Sequence, residues 1–257
     1  MPLNESHRVI HIPKENIKLW RYMDLASFFS LLVDKSLTFV RADLMEDKFE
    51  GTFPKITQQI LNSQAELMIR SGQLRPEYKN LSQIITGYKT TVYLNCWCKE
   101  QTEMVHMWKI YSKENGIAIE TNYYNLKLSV IDDENAYPTE VQYVNFKTDQ
   151  IDWQSNTLSV YTIKRIEYKS ENEFRLIISY PRQIEDQLTQ YKTHEEIDLP
   201  RKQLYQNTPV IKYKVNVEKL ITNIFLSPYA PKWYLPLIEN TLAKLGYNGF
   251  SIITSDL

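Results

Sequence analysis

The chain has 257 residues, with 30 Lys and Arg against 31 Asp and Glu and a formal net charge of −1. That length buries a substantial core as one large domain or two small ones, and the near-neutral balance excludes a protein that grips nucleic acid by bulk electrostatics, though not one with a local basic groove. No run of about 18 apolar residues occurs and the first residues carry no apolar signal core, so a cytoplasmic chain without a membrane span is expected.

Residues 1–16 read as an N-terminal extension and 17–257 as one domain. Ile17–Tyr22 reads as a strand. Asp24 is placed to cap a helix over Leu25–Val33, whose apolar stripe is Leu25, Phe28, Phe29 and Leu32. Ser36–Val40 forms a second strand, followed by a polar loop from Arg41 to Gly51. Two helices fill Lys55–Tyr88, with a break near Gly72–Pro76. Val92–Cys98 is a strand, Thr102 caps a helix over Glu103–Tyr111, and Gly116–Thr121 alternates as a strand. Further strands are expected at Lys127–Ile131 and Glu140–Phe146, then a helix over Ser155–Lys169 carrying Leu158, Tyr161, Ile163 and Ile166, then a strand over Glu171–Ile178. Gln183–Asn207 is polar and reads as a long loop or insertion. Strands at Val210–Val215, Leu220–Leu226 and Gly249–Ile253 flank a helix over Lys232–Leu245 that Gly246 closes. The pattern is α+β: a single domain with a central mixed or antiparallel sheet and inserted helices.

The segment Glu171–Ile178 carries the most information. With period two, Phe174, Leu176 and Ile178 share a core face with Asn172, while Glu171, Glu173 and Arg175 share the other. Two carboxylates and a guanidinium in a row are either a salt-bridged solvent face or a site. Three more patches stand beside it. Arg21, between Trp20 and Tyr22, is an edge-strand arginine or a fork for phosphate or carboxylate. Arg41 precedes Asp43, Glu46, Asp47 and Glu50, whose spacing matches no calcium loop, so a solvated acidic loop is the expectation over a metal site. Cys96-Trp97-Cys98 leads to a helix with Met104, Met107, Trp108 and Tyr111 on one face. The two cysteines are expected as free, buried thiols, and no metal is expected, because no second Cys pair exists. GxGxxG, GxxxxGK[ST], GxSxG and HExxH are absent. His7, His11 and His194 fall in a terminal segment or the polar stretch, and His106 lies off the helix stripe, so a histidine triad has little support.

In their order, these pieces resemble a widespread bacterial family known as domain of unknown function twenty-nine seventy-one. The matching pieces are Leu19–Tyr22, Leu37–Asp43 running into Glu46–Gly51, Cys96-Trp97, Met107–Ser112, Gly116–Ile119, Lys164-Arg165, Glu171–Leu176 and Ser227-Pro228. A weaker resemblance, to the ADP-ribosyltransferase fold, implies a chemistry. There a first-strand residue contacts NAD, a middle residue shapes the nicotinamide pocket, and a late Glu stabilises an oxocarbenium-like transition state. This resemblance implies Glu173 and Glu171 as catalytic groups, a Glu-x-Glu pair as in arginine-modifying members. Arg21, Tyr22, Arg41, Trp108, Tyr111 and Arg175 would hold the nucleotide. NAD is then the substrate, with a protein or nucleic acid as acceptor, as in a toxin or defence effector. The chain lacks the Ser-Thr-Ser run of that superfamily, and Arg175 is equally suited to neutralise Glu173. Two other readings stand beside it: a binding module without catalysis, and a metal-dependent nuclease or phosphoesterase built from Asp43, Glu46, Asp47, Glu171 and Glu173. The transferase reading expects Arg21, Arg41, Trp108, Glu171 and Glu173 to converge on one cleft.

Overall fold

A computed structural model describes residues 3–111, 115–152, 156–191 and 193–257, without the side chains of 194 and 195. Ser112 of the matching pieces, Ser155 at the expected helix start and the first two residues lie outside the described residues. In chain order the elements begin β1 (Lys18–Met23), α1 (Leu25–Asp34), β2 (Ser36–Arg41), α2 (Lys55–Arg70), α3 (Leu81–Gly87), β3 (Val92–Cys98), α4 (Val105–Tyr111) and β4 (Ile117–Asn122). There follow α5 (Tyr123–Ser129), β5 (Tyr137–Glu140), β6 (Gln142–Val144), β7 (Ile163–Arg165), β8 (Glu173–Ser179), α6 (Arg182–Glu185), α7 (His194–Asn207), β9 (Val210–Lys214), α8 (Val217–Leu220), β10 (Asn223–Leu226), α9 (Tyr234–Lys244) and β11 (Ser251–Thr254). This is the expected single-domain α+β fold with a mixed, mostly antiparallel central sheet.

The main sheet runs β11-β10-β4-β1-β3-β2-β9, with β8 on β3 and β5 on β8. Among the described residues only β10 and β11 pair in parallel within it, and β6 and β7 form a separate parallel pair. β3 is where the sheet forks. Along one edge it pairs with β8 throughout, from Val92↔Ser179 to Cys98↔Glu173. Along the other edge β1 reaches it only at Trp20↔Cys98, and β2 only at Val40↔Leu94 and Arg41↔Tyr93. The stretch between, Asn95 to Trp97, has no strand partner on that edge.

Side-chain alternation divides the core between the two sheet faces. One face carries Leu19, Phe39, Tyr93, Ile119, Phe174, Leu176 and Ile178, covered by α1, α5 and α9 through residues such as Phe28, Leu126 and Ile238. The opposite face has two smaller apolar clusters. One gathers Leu94 and Ile177 with Leu61 of α2 and Ile85 of α3. The other gathers Trp20, Tyr22 and Cys98 with Met107 and Trp108 of α4. Between these two clusters stand the charged side chains of β8. The N-terminal segment lies on the body: Leu3 and Val9 are buried, and the His11 amide donates to Thr139 Oγ1 at 3.0 Å.

Several expectations are corrected. The strand expected at Lys127–Ile131 is the helix α5, because the Asn122 side chain accepts from the Asn125 amide and caps it; Val130 alone keeps a bridge, to Val215. The strand over Glu140–Phe146 is two strands with different partners, broken where the Val141 amide turns to the Glu173 carbonyl. The helix over Ser155–Lys169 is a 3₁₀ turn (Thr157–Tyr161), the short β7 and a second 3₁₀ turn (Ile166–Glu171). Pairing with β6 outweighs the helical stripe there. Gln183–Asn207 is not a loop: it holds α6, a 3₁₀ turn and α7, the last opened by a Thr193–Glu196 capping box. Leu220–Leu226 divides into α8, capped by Asn216, and β10. No helix among the described residues is long and apolar enough to cross a membrane.

Candidate functional site

β8 is buried on both faces, so the three charged residues do not form a solvent face. The strand begins at Glu173; Asn172 sits in the left-handed region at φ 39°, and Glu171 ends the preceding 3₁₀ turn. Glu171 therefore does not share the strand's alternation, yet the turn returns it beside Glu173. Lys164 of β7 joins them: its Nζ lies 2.6 Å from Glu171 Oε2 and 3.0 Å from Glu173 Oε2. On the other side of Glu173, Arg175 Nε donates to Oε1 at 2.8 Å. Arg175 is fully buried and also donates to Glu50 Oε1 at 2.7 Å and to the Tyr161 carbonyl at 2.9 Å. The result is a chain of alternating charge, Glu50–Arg175–Glu173–Lys164–Glu171, buried except at Glu171, that runs from the acidic loop to a cavity open to solvent on one side. Burial opposes ionisation of Glu173, but Arg175 and then Lys164 outweigh it and hold the carboxyl at about 2. Burial raises Glu50 despite Arg175, which it shares with Glu173. For Lys164, burial opposes the charge, and Glu173 with Glu171 more than restores it, raising its pKa.

This pairing also corrects the reading of the acidic loop as solvated. Asp47 and Glu50 are buried. Both Asp47 oxygens accept from Arg165 Nε at 3.1 Å, and Glu50 meets Arg175. The loop is thereby latched to β7 and β8, and Met45 of the same loop lines the cavity.

The cavity measures about 200 Å³ and lies in the fork of β3. Trp20, Tyr22, Trp97 and Tyr111 supply its rings, and Cys96, Cys98 and Met107 its sulfur. The rings are fixed from behind. Trp20 Nε1 donates to the Glu100 carbonyl at 2.9 Å, Trp97 Nε1 to Asn95 Oδ1 at 2.7 Å, and the Tyr22 hydroxyl accepts the Met104 amide at 2.8 Å. Both cysteines are free; burial pushes Cys98 up to about 12 and Cys96 well above its ordinary value, so neither is an activated thiolate.

Arg21 is the unusual member. It enters the fork from β1, donating to the Cys96 carbonyl of β3 and the Thr38 carbonyl of β2, both at 3.4 Å; the Thr38 carbonyl also accepts from Asn95 Nδ2 at 2.8 Å. Its guanidinium stands 5.7 Å from the Trp97 ring centroid. Among the described residues no carboxylate pairs with it, and burial lowers it to about 10. A guanidinium in an aromatic cavity without a counter-ion keeps most of its fork free for an anion.

Of the residues expected from sequence, Arg21, Tyr22, Tyr111, Glu171 and Glu173 line this one cavity. Arg175 stands behind Glu173 and does not reach it. Trp108 is fully buried behind Tyr22, edge-on at 5.0 Å, with its Nε1 on Glu103 Oε2 at 2.8 Å. Arg41 lies elsewhere: as the last residue of β2 it shares parity with Leu37 and Phe39, and it pairs with Asp43 at 2.6 Å and with the Tyr205 carbonyl of α7. Convergence of all five named residues on one cleft therefore fails for Arg41 and Trp108. Lys164, Arg165 and Tyr168 group with Glu171, Glu173 and Arg175 in the sequence as one patch, but that Lys164 bridges the two glutamates was not legible, because its short strand reads as helix. His106 is partly buried and sits 3.0 Å from the Ser170 carbonyl, away from the lining. Among the described residues, no three His, Cys, Asp or Glu side chains are disposed to hold a metal ion. Compared with protein-family models, with curated proteins and with solved structures, the chain matches none.

Proposed function

We propose that the cavity binds NAD and that the chain cleaves the nicotinamide–ribose bond, in the manner of an ADP-ribosyltransferase. The observation that carries this reading is the free fork of Arg21 inside an aromatic-walled cavity whose far wall is a carboxylate. Arg21 takes the pyrophosphate. A cavity of about 150 Å³ admits a benzene ring, so about 200 Å³ suits a ring with a small substituent such as nicotinamide. Glu171 is the acting carboxylate: one oxygen is held by Lys164, and the other has no partner among the described residues. Heterolysis sends the bonding pair to the pyridinium nitrogen, which becomes neutral, and leaves positive charge on the ribose that the fixed carboxylate stabilises. Water, or a nucleophile of a protein or nucleic acid, then bonds the ribose carbon and loses its proton.

Glu173, the group expected from sequence to act, has both oxygens occupied by cations. It positions Lys164, and through it Glu171. Glu171→Gln is accordingly the informative variant. In a bacterial lysate supplying acceptors, it is expected to lower nicotinamide release from NAD by roughly 100-fold or more, while the purified variant still unfolds in one cooperative transition, at a lower temperature because Lys164 loses one of its two carboxylates. Release that is unchanged in Glu171→Gln removes this residue from the chemistry. Binding without release, in the wild type, favours a second reading, a ligand-binding module, which the saturation of Glu173 also supports.

A further inference from the structure

A second hollow opens from the first across Arg21. It measures about 510 Å³ and shares Arg21, Tyr22, Val40 and Tyr111 with the cavity. Its remaining polar walls are mostly hydroxyls and a carboxylate: Asp24, Ser27 and Ser30 from the start of α1, and Ser36 and Thr38 from β2. Ser36 Oγ is buried with no hydrogen-bond partner. Besides Arg21, the lining holds one cation, Lys212, and it is spent: its Nζ lies 2.9 Å from Asp34 Oδ2, 2.7 Å from Ser30 Oγ and 3.1 Å from Thr38 Oγ1. The positive end of α1 is spent too, since Asp24 Oδ1 accepts the Ser27 amide at 2.7 Å. Asp24 Oδ2 has no partner among the described residues. The cleft as a whole thus offers one anionic position, at Arg21, with an aromatic chamber on one side and a hydroxyl-lined, mildly acidic chamber on the other.

Resting on the NAD reading, we propose that this second chamber receives the adenosine arm and that Asp24 makes the site select NAD over NADP. A carboxylate accepts hydrogen bonds from ribose hydroxyls and repels a 2′-phosphate, and no cation here is left to receive that phosphate. Asp24→Asn is a suitable probe because Asn caps a helix as well as Asp, so α1 is kept while the charge is removed. Titration calorimetry of NAD and NADP is expected to show wild type binding NADP about tenfold more weakly, on the order of the repulsion between an exposed carboxylate and a phosphate of up to two charges. Asp24→Asn should narrow that gap to about threefold or less. NADP binding to wild type as well as NAD, or better, overturns the selectivity and leaves the NAD reading standing. A gap that persists in Asp24→Asn overturns the part assigned to Asp24. Failure of both nucleotides to bind overturns the NAD reading and this inference with it.

Discussion

Glu173 shows how far a single position was legible in the sequence. Its parity was: Glu173 and Arg175 face one way and Phe174, Leu176 and Ile178 the other. What parity does not carry is the partner set, because Glu50 and Lys164 arrive from distant segments. The partners decide the consequences. A carboxyl lowered from 4.5 to about 2 in the folded chain contributes stability that is fully present above its ordinary value and is lost as pH falls through the folded one. Glu50 has the opposite sign, since a raised carboxyl favours the folded chain as it protonates. Urea unfolding should therefore show stability falling between about pH 4.5 and pH 2. At neutral pH, Glu173→Gln should cost about 3–5 kcal/mol, because it strips a charge partner from a fully buried Arg175. A Glu173→Gln protein as stable as wild type would mean that the charge chain contributes nothing to the fold. Arg41 is removed from the site by its partners: one residue beyond the expected end of β2, it pairs with Asp43 at 2.6 Å and donates to the Tyr205 carbonyl of α7.

Among the elements, the acidic loop after β2 is the one whose role changed most. Its carboxylates look solvated in sequence because their cations lie more than a hundred residues further on. Gly51 closes the loop in the left-handed region at φ +67°, and a Cβ there would stand 2.6 Å from Tyr161 Cε1 and 3.3 Å from Lys89 Cβ. Backbone strain of about 1–2 kcal/mol and a comparable overpacking cost bear on the residue next to Glu50. Gly51→Ala should lower the melting temperature by roughly 4–16 °C, and a calorimetric scan with no shift would contradict this placement of the loop. Other elements divide by the range of the signal that makes them. The α1 stripe and its Asp24 cap are local and were legible. The capping box of α7, Thr193 with Glu196, was also present in the sequence but overshadowed by the polarity of its surroundings and by Pro200. β7 was not legible: three residues between two 3₁₀ turns become a strand only by pairing with β6.

At the scale of the whole molecule, the α+β class followed from alternating strands and striped helices, while the fork did not. Where β1 and β2 each leave β3 is set by long-range register, and that register brings Arg21 within reach of the Cys96 carbonyl and of the Thr38 carbonyl, which it shares with Asn95 Nδ2. The same register makes room for the cavity, places the Trp20 and Trp97 rings around it, and sets the charge chain from β7 and β8 at its far wall. A guanidinium that donates to two backbone carbonyls at 3.4 Å is held in place while most of its fork stays available. In the proposed function, this fork anchors the anionic part of a nucleotide. Titration calorimetry of ADP-ribose into the wild-type chain and into Arg21→Ala tests it most directly, because ADP-ribose keeps the pyrophosphate and lacks the nicotinamide. Saturable binding to wild type is expected, weakened by about tenfold or more in a folded Arg21→Ala. Equal affinity in the two proteins, or no binding to wild type, would contradict it.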